Sequence, residues 1–185
     1  METMNEAPRD RLLRTAARLF YTEGIRAVGM DRLVAEANVT RSTCYRHFAG
    51  KDDIVLAYLD SIDRHVRESV DAIAASRPPT EALIGIFEFY GDFANTEDFR
   101  GCNFLNAAAE HADRDSPPRR LIAAHRSWLR ETFRSLLVET GHPAPDQAAG
   151  TLVLLRDGAM SAAELDDPST VRETLLHTVS SVISG

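Results

Sequence analysis

The chain has 185 residues and a mass of 20.5 kDa, with 44% apolar and 26% charged side chains; this is room for one domain of ordinary globular composition, or a small module on a larger one, and it excludes a disordered chain. No run of 18 apolar residues occurs and the first ten residues are too polar for the apolar core of a secretory signal, so a cytoplasmic protein with no membrane partner is expected. The net charge of −7 hides an asymmetry, because residues 1–51 carry nine basic side chains against six acidic ones while the remainder carries twelve against twenty-two, the pattern of a nucleic-acid-facing segment joined to a body that would repel DNA.

The period is helical throughout. Leu12, Leu13, Ala16, Ala17, Leu19 and Phe20 recur at three- and four-residue steps, with Arg11, Arg14 and Arg18 on the opposite face, until Gly24 stops the run; Pro8 suits the first turn. A shorter run over 31–37 puts Leu33, Val34 and Ala37 on one side and is interrupted at Asn38 and Val39. Thr40 is placed to cap a third helix over 41–48, its hydroxyl meeting an amide near Thr43. After Ala49 and Gly50, Lys51-Asp52-Asp53 opens a long helix. It keeps Ile54, Val55, Tyr58, Leu59, Ile62, Val66, Val70 and Ile73 in register up to Arg77-Pro78-Pro79. The helix over 81–95 is apolar around most of its circumference and is expected to be buried. Further helices fit 102–112, 118–139, 145–164 and 168–183, separated by proline-bearing breaks. The expectation is an all-α chain of about nine helices: an N-terminal three-helix DNA-binding domain over 1–50 and a C-terminal helical domain over 51–185.

Two short helices separated by a three-residue break, with an aromatic-rich third, have the layout of a helix-turn-helix. The third helix sharpens this. Arg41, Ser42, Thr43, Tyr45, Arg46 and His47 are donors or small polar groups crowded into seven residues, with no acid between Glu36 and Asp52. A merely solvated face normally mixes acids with lysines, whereas this one suits phosphates and base edges.

The segment Met30-Asp31-Arg32-Leu33-Val34-Ala35-Glu36-Ala37-Asn38-Val39-Thr40-Arg41-Ser42-Thr43-Cys44-Tyr45-Arg46-His47-Phe48, preceded by Gly24-Ile25 and followed by Lys51, closely resembles the DNA-binding domain of the TetR family of transcriptional repressors. The likeness covers about residues 9 to 60 and is carried by the T-x-Y-x-H-F core with a lysine three residues on. It implies an all-helical homodimer on a near-palindromic operator in double-stranded DNA. It also implies a recognition helix at 41–47 capped by Thr40, phosphate contacts from Thr43, Tyr45, His47 and Lys51, and base reading at Arg41, Ser42 and Arg46. Three residues depart from the pattern. Gly29 stands where a capping threonine is usual, which removes a hydroxyl-to-phosphate contact. Asn38 replaces the turn glycine but tolerates a left-handed conformation, and Cys44 replaces a leucine as a small core hydrophobe.

In that family the rest of the chain holds a pocket for a small-molecule effector and the dimer interface. Phe87, Tyr90, Phe104 and Trp128 are the aromatic candidates for the pocket, with ordinary core packing as the competing reading; His111, His125 and Arg156 could orient a ligand. Thr151, Leu154, Leu155, Gly158 and Ala162 on one helix, with Val171, Leu175, Thr178 and Val182 on the next, form the expected dimer face, a four-helix bundle at a two-fold axis. Cys44 and Cys102 are too few for a disulfide framework and read as reduced thiols. Cys102, at a predicted helix start beside Arg100, has the setting of a redox or electrophile sensor. Its Gly-Cys opening with Asn106 and Glu110 looks like a branch of the family with electrophile-responsive members. A small metal-dependent enzyme is the remaining alternative, through His111 with Asp115 or Glu110 with His125. No His-Glu-x-x-His, Gly-x-Ser-x-Gly or phosphate-loop pattern supports it, and no metal, cofactor or catalytic residue is expected.

Overall fold

The computed structural model describes residues 6–185. They form nine helices and no strand: α1 (Pro8–Glu23), α2 (Met30–Glu36), α3 (Arg41–His47), α4 (Lys51–Ser76), α5 (Pro79–Ala94), α6 (Asn103–Glu110), α7 (Pro117–Glu139), α8 (Pro145–Ala162) and α9 (Pro168–Ser184). Five of the nine carry proline at the first helical positions, where its missing N–H costs nothing. The sequence places α6 from 102 to 112. The observed helix is shorter at both ends, and Cys102 precedes its first turn.

The chain packs as two compact units: one extends to Asp63 and takes in Asn106–Ile122, and the other comprises Arg64–Leu105 and Ala123–Gly185. The sequence-based boundary at residue 50 follows the break before α4. The units divide elsewhere because α4, α6 and α7 each run from one into the other.

In the first unit, Leu12, Ala16, Leu19 and Phe20 of α1 close over Leu33, Cys44, Phe48, Ile54, Val55, Tyr58 and Leu59, all buried; the Phe20 and Tyr58 rings meet edge to face at 5.8 Å. α1 ends where Gly24, at φ +91°, turns the backbone and returns its N–H to the Phe20 carbonyl. The turn between α2 and α3 is held at Asn38, at φ +50°, as its tolerance of that region predicts. Arg11, expected on the solvent face, is half-buried instead: its Nε and Nη2 donate to the carbonyls of Ala37 and Asn38, both at 3.2 Å, which satisfies the C-terminal end of α2.

In the second unit, α5 lies against α8 and α9, burying Ala82, Leu83, Ile86, Phe87 and Tyr90, while Ile84, Phe89 and Phe93 remain half-buried. Phe87 stacks on Phe133 at 5.2 Å between ring centres. α5 and α9 approach closely at Gly91, where a Cβ would stand 2.8 Å from Arg172 Cγ. Asp167 caps α9 by accepting the Thr170 N–H at 2.9 Å, and the Ser169 hydroxyl with the Thr170 N–H and hydroxyl hold its carboxyl below the usual range.

Candidate nucleic-acid interface

Helix α3 divides cleanly into a buried and an exposed side. Cys44 points into the core with no exposed surface, and burial pushes its thiol up, which suits the packing role expected of it and not a reactive one. Around it Arg41, Ser42, Tyr45, Arg46 and His47 are exposed and Thr43 is half-buried. Tyr45, 54% exposed, is a large ring kept out of any core.

The start of the helix is built by hydroxyls. Thr43 donates its N–H to Thr40 Oγ1 at 3.1 Å, the expected cap, and Thr40 Oγ1 also lies 3.0 Å from Ser42 Oγ and 2.9 Å from Thr43 Oγ1. Arg46 Nη2 donates to Thr43 Oγ1 at 3.0 Å, one turn back. Arg41 pairs with Asp31 of α2 across the exposed surface. Lys51 sits half-buried at the first position of α4, next to Gly50, whose carbonyl begins that helix. Asp53 accepts the Ala49 N–H at 2.8 Å and so fixes the corner between α3 and Lys51.

Behind this face an ion network braces α1 and α2. Glu36 takes Arg32 at 2.9 Å and also Arg18, and Arg32 reaches Glu23 at 2.7 Å. The Arg32 and Arg18 guanidiniums hold the Glu36 carboxyl below its usual range. Gly29, at the N-cap of α2, has an ordinary extended backbone (φ −86°, ψ 161°), no side-chain cap and open space where a Cβ would go.

One residue of the first unit has a role that neither its metal reading nor its place in the Gly-Cys pattern points to. Glu110, the last residue of α6, accepts the Ile25 N–H at 2.8 Å through Oε1 and the Arg26 N–H at 2.6 Å through Oε2. It therefore clamps the connection between α1 and α2 from a helix 84 residues along the chain. Gly24 beside it leaves the room: a Cβ there would lie 3.3 Å from Glu110 Oε1.

The pocket candidates separate into groups. His111 lies in the first unit with its Nδ1 2.8 Å from the Ala107 carbonyl. The others lie in the second. Phe104 stacks on the buried His125 at 4.0 Å, His125 stands 5.5 Å from Trp128, and the Arg67 guanidinium lies 4.4 Å over the Trp128 ring. Arg156, 3% exposed, lies 4.9 Å over the ring of Tyr90. Phe87 is fully buried against Phe133 and acts as core. Cys102 is 5% exposed. Among the described residues no group of three or more His, Cys, Asp or Glu side chains could hold a metal ion, and no helix is long and apolar enough to cross a membrane.

On the expected dimer face, an open apolar groove runs along α8 and α9, lined by Leu154, Leu155, Gly158, Ala162, Val171 and Thr178 among others. Leu154 is 69% exposed. Thr151 is half-buried on α8, toward a second groove shared with α7. Val182 is half-buried, and its carbonyl faces His142 Nε2 at 3.0 Å. Leu175 also lines this groove, although it is 5% exposed and lies beside the buried Val179 and Ile183.

Known proteins match this arrangement. The family profile of bacterial regulatory proteins, tetR family, matches residues 12–58. The crystal structure of SCO4454, a TetR-family transcriptional regulator from Streptomyces coelicolor, is 48% identical, with a TM-score of 0.93 over 96% of this chain and 94% of that one. A TetR-type regulator from Streptomyces avermitilis MA-4680 is 30% identical, with a TM-score of 0.81 over 94% and 98%. The HTH-type transcriptional regulator YxaF of Bacillus subtilis (strain 168) is 30% identical over 154 residues, 78% of each chain. The chain thus belongs to the TetR family of transcriptional regulators, a family of non-enzymatic DNA-binding proteins.

Proposed function

We propose that the protein is a homodimeric repressor that binds a near-palindromic operator and is released from it by a small-molecule effector. The observation that carries this reading is the face of α3, where Arg41, Ser42, Tyr45, Arg46 and His47 stand exposed with Thr43 beside them. Arg41, Ser42 and Arg46 are assigned to base edges, and Thr40, Thr43, Tyr45, His47 and Lys51 to the sugar–phosphate backbone. Residues 1–50 act as the DNA-binding domain and 51–185 as the effector-binding and dimerisation domain.

The exposed apolar groove of α8 and α9 supports pairing of two copies there, because a patch holding Leu154 at 69% exposure is costly to leave in water. A two-fold dimer places its recognition helices about 34–36 Å apart, in successive major grooves. The effector then acts by population shift: it favours a body conformation whose recognition helices are wrongly spaced, and operator affinity falls by the ratio of its affinities for the two states. The helix α4, continuous between the units, is the covalent lever.

Selection of random duplexes with the purified protein at near-physiological salt, followed by sequencing, tests the reading. Recovery of an inverted repeat is expected. Enrichment of nothing by effector-stripped protein would refute it. A second reading, an electrophile sensor, is supported by Cys102 lying within electrostatic reach of the Arg156 cation. Its sulfur would add to the electron-poor carbon of a conjugated carbonyl, the displaced π pair forming an enolate that takes up the thiol proton. A mass increase of one benzoquinone per subunit, absent in Cys102→Ser, is the expected result.

A further inference from the structure

The second unit buries positive charge that its own side chains do not use up. Arg156 is 3% exposed, and its Nη1 donates to Asp157 Oδ1 at 2.8 Å. The other oxygen of Asp157 takes Nη1 of Arg126. One carboxylate is therefore shared between two guanidiniums. The Arg156 guanidinium carbon lies 4.9 Å from the centre of the Tyr90 ring, and Tyr90 is itself 3% exposed. The guanidinium and the phenol oxygen face one another, and among the described residues neither the Arg156 Nε–H nor the Tyr90 O–H has an acceptor.

Two orphaned groups side by side beside a half-compensated cation restrict what can complete them. Buried donors without acceptors are expensive and are normally satisfied by a ligand, a neighbour or water. Both groups here donate. Arginine has no acceptor, and burial pushes the Tyr90 phenol up, so it keeps its proton at neutral pH. A metal ion is excluded by that donor set. An acceptor with two oxygens and one negative charge fits it, and guanidinium–carboxylate bonds are the strong, geometrically specific kind. Phe104 stacked on His125 at 4.0 Å supplies aromatic surface in the same unit, two residues along the chain from Cys102, which interacts electrostatically with both Arg156 and Tyr90.

We propose that Arg156 and Tyr90 are the anion-recognition end of the effector site, and that the effector is a small organic carboxylic acid. The proposal rests on the effector-release reading above and names the chemical class that reading leaves open.

Titration calorimetry on the full-length protein tests it, with benzoate, salicylate, 2-naphthoate and octanoate each set against its own primary amide. At least one acid is expected to bind saturably, with its amide at least about 30-fold weaker; Arg156→Met should weaken that acid at least about 10-fold and Tyr90→Phe about 3-fold. Silence of all four acids, equal binding of acid and amide, or unchanged acid binding in both variants overturns the proposal. Should Arg156→Met fail to fold, Tyr90→Phe, which removes a single oxygen, and the acid–amide comparison decide the matter. The same compounds added to the complex with a selected duplex separate the two claims. An acid that binds with these preferences yet leaves the duplex bound refutes effector release and keeps the site; an amide that releases the duplex as well as its acid does refutes the site and keeps effector release.

Discussion

Replacing Glu110 by alanine should loosen the DNA-binding helices without touching DNA. The carboxylate accepts two consecutive backbone N–H groups, from Ile25 at 2.8 Å and from Arg26 at 2.6 Å. Ile25 is buried and its amide cannot turn to water, so the loss there costs about 1.5–2 kcal/mol; the exposed Arg26 amide can be rehydrated and adds about 0.5 kcal/mol. A total of about 2–2.5 kcal/mol corresponds to a fall of roughly 30- to 60-fold in the protection of these amides against hydrogen exchange, since each 1.4 kcal/mol is a factor of ten. Glu110→Gln keeps one acceptor oxygen and turns an NH₂ toward the second amide, so it should lose at least half as much. Because the connection holds α2 against α1, operator affinity should fall about 3- to 10-fold, equally on cognate and random DNA, at an unchanged salt slope. Hydrogen exchange resolved at residues 25 and 26 is the decisive measurement. Protection at those two amides equal to that of the parent protein would refute the clamp, whatever happened to the melting temperature.

The recognition face makes its own predictions. Arg41→Ala should flatten base preference at one position per half-site, costing about 1–3 kcal/mol on cognate DNA and little on random duplex; Lys51→Ala should weaken both alike and reduce the salt slope by about one unit per protomer. Equal losses on the two DNAs for Arg41→Ala would remove its base-reading role. Gly29→Thr fits without strain, since its backbone is extended and a Cβ there meets nothing. It should cap α2, raise the melting temperature slightly and tighten DNA binding a few-fold by adding a hydroxyl at the helix start. Looser binding would contradict the assignment of that helix end to the DNA side. Leu154→Arg, at an exposed position of the groove on α8 and α9, should leave the subunit folded but convert the dimer to monomer by light scattering and abolish operator binding. A dimer that survives it would place the interface elsewhere.

What the sequence made legible was what is encoded locally. Helix ends fell where Gly24, Asn38, Thr40 and the proline pairs put them, because caps and breakers act within a few residues. Cys44 is expected in the core from its place in the family pattern, and it is the buried residue of α3. The failures share a cause. Arg11 and Glu110 act on backbone carbonyls and amides 26 and 84 residues away, and a bond to backbone leaves no trace in the identity of the residue at the other end. An apolar stripe on a helix is wide enough for two adjacent partners: in α9 Leu175 is buried beside Val179 and Ile183 yet also lines the groove with Val171 and Thr178, so residue type alone does not divide the stripe between core and interface. Cys102 and Arg156 lie 54 residues apart, so only the fold reveals that both are buried and interact electrostatically.

The charge of the N-terminal segment also acquires a different meaning in three dimensions. Its excess of basic residues suggests a surface that attracts phosphate, yet most of those arginines are engaged within the protein. Arg18 and Arg32 are taken up by Glu23 and Glu36, Arg14 by Glu6 and Arg11 by backbone carbonyls. On and beside α3, the face proposed for DNA, a small set remains: Arg46, Lys51, and Arg41, whose exposed pairing with Asp31 is the weak kind that a base or phosphate displaces at little cost. Around these three charges stand as many neutral donors, Ser42, Thr43 and Tyr45. A face of this kind gains little from counterion release and depends on the alignment of its hydroxyls and guanidiniums, which is why the internal arginine network and the Glu110 clamp matter to recognition. The acidic remainder of the chain works in the same direction, since it lowers affinity for DNA in general and leaves discrimination to α3.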